Sequence, residues 1–315
     1  MSPGSVARAM ILRAERRETH EAVAEAGTRG ASSGGVPAGY VEQRSDEPAR
    51  RRQASWVAAA RPGGSLLTET GRASARLARA GARIAGVGRT ALATAQRLRK
   101  LRTRPPDVRV GARALALRDA ARDVLALHGI TCTASGAPVP AQAVLVSNHV
   151  SWLDPLAIAA HVPCVPVSKV DVSGWPVVGS LARDLGVVFV SRGDAGSGAR
   201  ALREILSALH AGACVLNFPE GTTSAGDGVL PFRPGLFGLA LRTGAPIVPV
   251  AVRYEPRSLA WTGDASFIPH YLALAASRGA RVSVRFGEPL APPAGAGARE
   301  IAELARDRVA ALLEP

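Results

Sequence analysis

The sequence predicts an α/β fold, a largely parallel central sheet with flanking helices, preceded by a disordered, basic N-terminal region. Two observations fix the sheet. Short β-branched apolar runs, Ala143–Val146 and Ile247–Val252 among them, lack the polar alternation of half-exposed strands, so they read as strands buried on both faces. From about residue 110 onward such runs alternate with segments of helical period, the pattern of parallel strands joined by crossover helices. A third observation sets the N-terminal region apart. Gly27 to Gly64 is rich in Gly, Ala, Ser and Pro, carries the run Arg50-Arg51-Arg52 and shows no period.

Taken in order, residues 1–64 form the disordered basic region, with a candidate helix at Ser5–Glu25 that is polar on most faces. Residues 65–109 are a basic amphipathic helix and linker. Leu77, Ala80, Ile84, Val87, Ala91, Leu98 and Leu101 recur at three- and four-residue steps, with arginines from Arg72 to Arg99 and Lys100 on the remaining positions. Such a helix either lies on an anionic bilayer or packs on a domain by a thin stripe. Gly81, Gly86 and Gly88 weaken it, and Pro105-Pro106 ends it. Residues 110–315 form the compact domain. Gly111–His128 reads as a helix with Leu115, Val124 and Leu127 inward, followed by strands at Ile130–Ala134 and Ala143–Ser147 and a helix over 155–161. Then come strand Val162–Val167, helix Trp175–Asp184, strand Gly186–Val190, helix Ala199–His210 and strand Ala213–Asn217. Helix Pro234–Arg242 stops at Gly244, as left-handed glycine caps do, before strand Ile247–Val252. A helix near Pro269–Ala276, strand Arg281–Phe286 and helix Arg299–Leu313 complete the chain.

Composition bounds the function. At 47% apolar the chain has ample core, although aromatics make up only 4%. Residues 1–140 hold 24 Lys and Arg against 11 Asp and Glu; residues 141–315 hold 15 against 14. The basic character therefore belongs to the N-terminal part, whose natural partner is an anionic membrane surface or a nucleic acid. Nucleic acid is not expected, because that part holds just two aromatics, Tyr40 and Trp56, and neither zinc-ligand spacing nor a helix-turn-helix pattern. Cys132, Cys164 and Cys214 lie far apart and suggest neither a disulfide framework nor a metal site. No run of 18 apolar residues predicts a transmembrane helix, and Ala9–Leu12 is too short for a secretory leader.

Two clusters carry chemistry. In V-L-V-S-N-H-V-S-W-L-D-P, Val144–Pro155, an apolar strand turns abruptly polar, and Asp154-Pro155 reads as an N-cap followed by Pro at the first helical position. That places His149 and Asp154 on one tight turn at the strand-end crevice where open α/β sheets bind ligands. A carboxylate that accepts from one imidazole nitrogen leaves the other to take a proton from a hydroxyl. Some 70 residues on, Phe218-Pro219-Glu220-Gly221-Thr222-Thr223-Ser224 likewise follows an apolar run.

N-H-x4-D followed by F-P-E-G-T resembles the glycerophospholipid acyltransferases, the 1-acylglycerol-3-phosphate acyltransferase family, with Gly186–Arg192 similar to its G-x5-R block and Ala245–Val250 to its closing apolar block. The resemblance spans roughly 110 to 312. It implies a glycerol-3-phosphate acyltransferase-like domain that transfers a fatty acyl group from acyl-CoA or acyl carrier protein to a lyso-lipid hydroxyl. The leading product is phosphatidate from 1-acylglycerol-3-phosphate, without cofactor or metal. It also implies direct attack without an acyl-enzyme, in keeping with the absence of a G-x-S-x-G elbow from residues 110–315.

His149 and Asp154 become base and orienter, and Arg192 with Glu220, Gly221 and Thr222 forms the acceptor and phosphate site. Where many relatives read E-G-T-R-S, Thr223 replaces the Arg; Arg233 in Pro231-Phe232-Arg233 is a candidate substitute. The variant F-P-E-G-T-T-S resembles a branch that includes lyso-ornithine lipid acyltransferases, which makes another lyso-lipid the alternative acceptor. The expected placement is peripheral, on the cytoplasmic side of a membrane.

Overall fold

The structure, a computed structural model, describes residues 66–314 except Pro176, Arg192, Gly193, Gly263, Asp264 and 292–294. The region expected to be disordered, 1–64, lies outside the described residues, as does Arg192.

Seven strands form one sheet: β1 (Ile130–Gly136), β2 (Val144–Ser147), β3 (Cys164–Lys169), β4 (Val188–Val190), β5 (Cys214–Asn217), β6 (Ile247–Glu255) and β7 (Ala280–Phe286). Their order is β1-β7-β6-β2-β5-β3-β4. Every neighbouring pair is parallel except β6 and β7, so the sheet is largely parallel with one reversal. β2 lies between β5 and β6, and all four of its residues are buried. Side chains alternate across the pleat: Leu145 packs into the core on one face, Val144 and Val146 into the core on the other.

Among the described residues eight α-helices flank the sheet: α1 (Leu66–Leu101), α2 (Pro106–Leu127), α3 (Asp154–Ala159), α4 (Val178–Leu185), α5 (Ala195–His210), α6 (Gly235–Thr243), α7 (Phe267–Ala276) and α8 (Ala298–Leu313). Residues from α2 and α3 join Leu145 in one core, and residues from α5, α6 and α8 fill the other. The inward face of α2 differs from the expected one. Ala114, Leu117, Ala121 and Leu125 are buried there while Leu115 is exposed, because the helix packs close through small residues.

The basic helix α1 packs along α2 and α7. Gly86 permits the approach, since a Cβ there would stand 2.7 Å from Leu127 Cδ2. The decisive contact is Arg83, a buried cation. Its Nε donates to Leu127 O at 2.9 Å, and Nη1 donates to Ala275 O at 3.1 Å and Ser277 O at 2.8 Å. These are C-terminal carbonyls of α2 and α7, which a helix leaves without partners. Arg79 adds a bond from Nη1 to Ala276 O at 3.0 Å. Arg83→Met should therefore destabilise the fold by about 2–4 kcal/mol, since charge-assisted bonds are lost and carbonyls are left buried. Thermal denaturation should show a melting temperature roughly 5–15 °C lower. A fall of under about 2 °C would mean that α1 is not anchored through this residue.

Candidate active site

β2 delivers the polar cluster. At its end Asn148 stays in the sheet through its side chain. Nδ2 donates to Val252 O at 3.0 Å, and Oδ1 accepts from Val252 N at 2.8 Å. The carboxamide thus imitates one more peptide of the β2–β6 ladder while the main chain turns away. The next residue, His149, is held at both backbone groups by the second cluster. Its N donates to Glu220 Oε1 at 3.2 Å, and its O accepts from Ser224 N at 2.8 Å. The two motifs, far apart in sequence, are one loop pair in space.

His149 is 20% exposed, its ring stacked on Phe218 with centroids 4.2 Å apart. Its Nδ1 lies 2.7 Å from Asp154 Oδ2 and, facing a carboxylate, is the donor. Asp154 is fully buried and saturated. Oδ2 also accepts from Val150 N at 2.6 Å and Ser151 N at 2.9 Å, and Oδ1 accepts from Tyr254 OH at 2.5 Å. The carboxylate does not cap its own helix. Asp154 is the first residue of α3, and its side chain turns back to the amides of the preceding turn instead of forward. Burial, and then the Asp154 charge, push the Tyr254 phenol well above its ordinary range, so it remains a donor.

The other expected residues divide. Phe218 to Gly221 is a tight turn closed by Gly221 N donating to Phe218 O at 3.0 Å, with Gly221 left-handed at φ 73°. Glu220 thus comes directly to His149, with Gly221 next to it in the turn, while Thr222 is exposed and Thr223 half-buried on the same loop. Arg233 joins through its backbone, N donating to Pro219 O at 3.0 Å, with an exposed side chain. Arg192 follows β4 by two residues and lies outside the described residues. Sequence reasoning missed Asn148, Phe218 and Tyr254. The signal for Tyr254 was its period: Val248, Val250, Val252 and Tyr254 all enter one core, and a tyrosine on such a face needs an acceptor.

A family model described as Acyltransferase matches residues 130–253. A lyso-ornithine lipid O-acyltransferase of Brucella abortus is 35% identical over 189 residues, covering 54% of this chain and 71% of that protein. The chain belongs to the acyltransferase family. A 1-acyl-sn-glycerol-3-phosphate acyltransferase of Neisseria gonorrhoeae is 38% identical to this acyltransferase over 136 residues, covering 43% of the chain and 52% of that protein. The crystal structure of the 1-acyl-sn-glycerophosphate acyltransferase PlsC from Thermotoga maritima covers 68% of the chain and 84% of its own, at 22% identity and a TM-score of 0.50, a likeness of fold.

In this acyltransferase Glu220 is the perturbed acid. Burial raises its pKa to about 7, opposed in part by the His149 amide and reinforced by the Asp154 charge; Oε2 is buried with no hydrogen-bond partner among the described residues. A carboxyl that is harder to ionise folded than unfolded favours the fold at low pH. That stability is complete below the usual carboxyl range, near pH 4.5, and lost by about pH 7. A displacement of this size corresponds to on the order of 3 kcal/mol. Glu220→Gln should flatten the decline in unfolding free energy between pH 4.5 and pH 7. Parallel curves for wild type and variant would show that Glu220 does not ionise there.

Proposed function

We propose that this acyltransferase moves a fatty acyl group from an acyl thioester, acyl-CoA or acyl carrier protein, to the free hydroxyl of a lyso-lipid, with 1-acylglycerol-3-phosphate as acceptor and phosphatidate as product. The observation that carries the reading is a partly exposed imidazole whose Nδ1 is fixed on a fully buried carboxylate. Nε2, without a protein partner among the described residues, is then the atom that meets the acceptor hydroxyl.

In the proposed reaction the hydroxyl oxygen attacks the thioester carbonyl carbon and its proton passes to His149 Nε2. Collapse breaks the C–S bond, the imidazolium returns the proton to the departing sulfur, and ester and thiol leave. Asp154 holds the tautomer and stabilises the imidazolium. Glu220 sets the His149 backbone by accepting from its N–H through Oε1. Arg192 contributes a fork matched to phosphate oxygens, and Gly221 and Thr222 contribute backbone N–H groups and a hydroxyl. Thr223 and Arg233 tune the headgroup contact. No cofactor or metal enters the reaction.

One observation favours a second acceptor. Thr223 stands where E-G-T-R-S relatives carry Arg, and a relative sharing 35% identity is named for lyso-ornithine lipid. The test offers the purified enzyme both lyso-lipids with both donors and identifies products by mass. Ester formed only on lysophosphatidate supports the first acceptor, and ester formed only on lyso-ornithine lipid supports the second. Transfer to neither overturns both.

A further inference from the structure

α7 is amphipathic in the reverse sense. Its solvent face, Ile268, Pro269, Leu272 and Ala273, is apolar throughout, with Ile268 60% and Leu272 44% exposed. Its two polar side chains turn inward instead. His270 Nδ1 accepts from Trp152 Nε1 at 3.0 Å, and the Tyr271 ring meets His128 edge-on. A surface helix on a protein surrounded only by water shows the opposite pattern. The patch continues over the turn into α4. There Val177, a β-branched residue held at the strained φ of 63°, is 67% exposed, and Trp175 packs on Phe267 with centroids 4.4 Å apart.

Behind this face three of the chain's four tryptophans, Trp152, Trp175 and Trp261, gather with Phe267 and Tyr271. The cluster reaches the His149 turn itself: Trp152 belongs to that turn, and Trp261 N donates to Val150 O at 2.9 Å. Along its border runs α1, which carries eight basic side chains and a single acidic one. Arg79 and Arg83 grip the C-terminal end of α7, and Arg76 and Arg72 follow one and two turns beyond Arg79.

We propose that the α7 face and the Val177 turn dock on an anionic lipid bilayer and admit the lyso-lipid sideways, past the tryptophan cluster, to His149; this purpose rests on the lyso-lipid reading. Aliphatic side chains enter the acyl boundary, tryptophans sit at headgroup depth, and the flanking arginines of α1 meet anionic phosphates. Among the described residues no helix is long and apolar enough to cross a membrane, so α7 is an in-plane contact. A second copy on the same face would bring two basic α1 helices together, charge against like charge, whereas anionic lipid neutralises both α1 and the rim.

The full-length protein, without donor or acceptor, is mixed with vesicles of phosphatidylcholine with and without phosphatidylglycerol. Binding is followed by cosedimentation and by tryptophan emission. Wild type should bind the anionic vesicles with a blue-shifted emission. Ile268→Glu with Leu272→Glu should weaken partitioning by about tenfold or more for each side chain, while the melting temperature stays at the wild-type value. Unchanged vesicle binding by the double variant overturns the proposal. So does a wild-type dimer that the variant dissociates with no effect on vesicles, since a second copy then occupies the face. Binding is read without substrates, so a failed acyl-transfer assay leaves it standing, and failed binding leaves the acyl-transfer reading untouched.

Discussion

His149→Ala is expected to lower kcat/KM for acyl transfer by at least ~10²-fold with the fold intact, the contribution a positioned base ordinarily makes. The geometry explains why the fold survives. The imidazole is partly exposed, and its removal leaves Asp154 with three donors, Val150 N, Ser151 N and Tyr254 OH. Both backbone bonds of residue 149, to Glu220 and Ser224, are independent of the side chain. What is lost structurally is the stack on Phe218, worth about 0.5–1.5 kcal/mol. The measurement pairs kcat/KM with thermal denaturation. Turnover above roughly a tenth of wild type, in a variant that melts normally, would place the base elsewhere, because a base in this position accounts for more than that.

The strand with the turn that follows it was legible because both announce themselves locally. β2 is a β-branched run ended by a polar cluster, and His149 and Asp154 fall within six residues of one another. The alternation of strand and helix likewise gave the largely parallel sheet. What stayed hidden is non-local or reads alike in two arrangements. β7 carries the same apolar alternation whether it runs with β6 or against it, and pairing decides. Tyr254 lies beyond Val252, where the predicted strand stops, and its bond to Asp154 spans 100 positions. Asn148 looked like part of a polar loop, and only the neighbouring β6 backbone shows its carboxamide standing in for a peptide. Arg83 occupies a position that reads as the wet side of a basic amphipathic helix. Its guanidinium reaches inward to carbonyls of α2 and α7, which no periodicity within α1 encodes.

Asp154→Asn separates the charge of this site from its architecture. Three donors, His149 Nδ1, Val150 N and Ser151 N, converge on Oδ2, and the Tyr254 hydroxyl alone reaches Oδ1. The carboxamide oxygen therefore takes the Oδ2 position, and its NH2 faces Tyr254, whose hydroxyl turns to accept. Every buried group keeps a partner, so stability should change by no more than about 1 kcal/mol. Catalysis should not survive so well, because the imidazolium formed during proton transfer then faces a neutral dipole. Two unit charges 4 Å apart in an effective dielectric near 20 attract by about 4 kcal/mol, which corresponds to roughly 10³-fold in rate if the interaction is present only in the transition state. Asp154→Ala is the contrasting variant. It strips the buried amides of Val150 and Ser151 and the Tyr254 hydroxyl of their acceptor, so it should lose stability as well as activity, about 1–3 kcal/mol for each group left unpaired. Steady-state kinetics and melting curves for both variants decide the matter. If the Asp154→Asn enzyme kept near-wild-type turnover while the alanine variant lost both fold and activity, Asp154 would serve only to brace the turn, and its charge would have no part in the proton transfer.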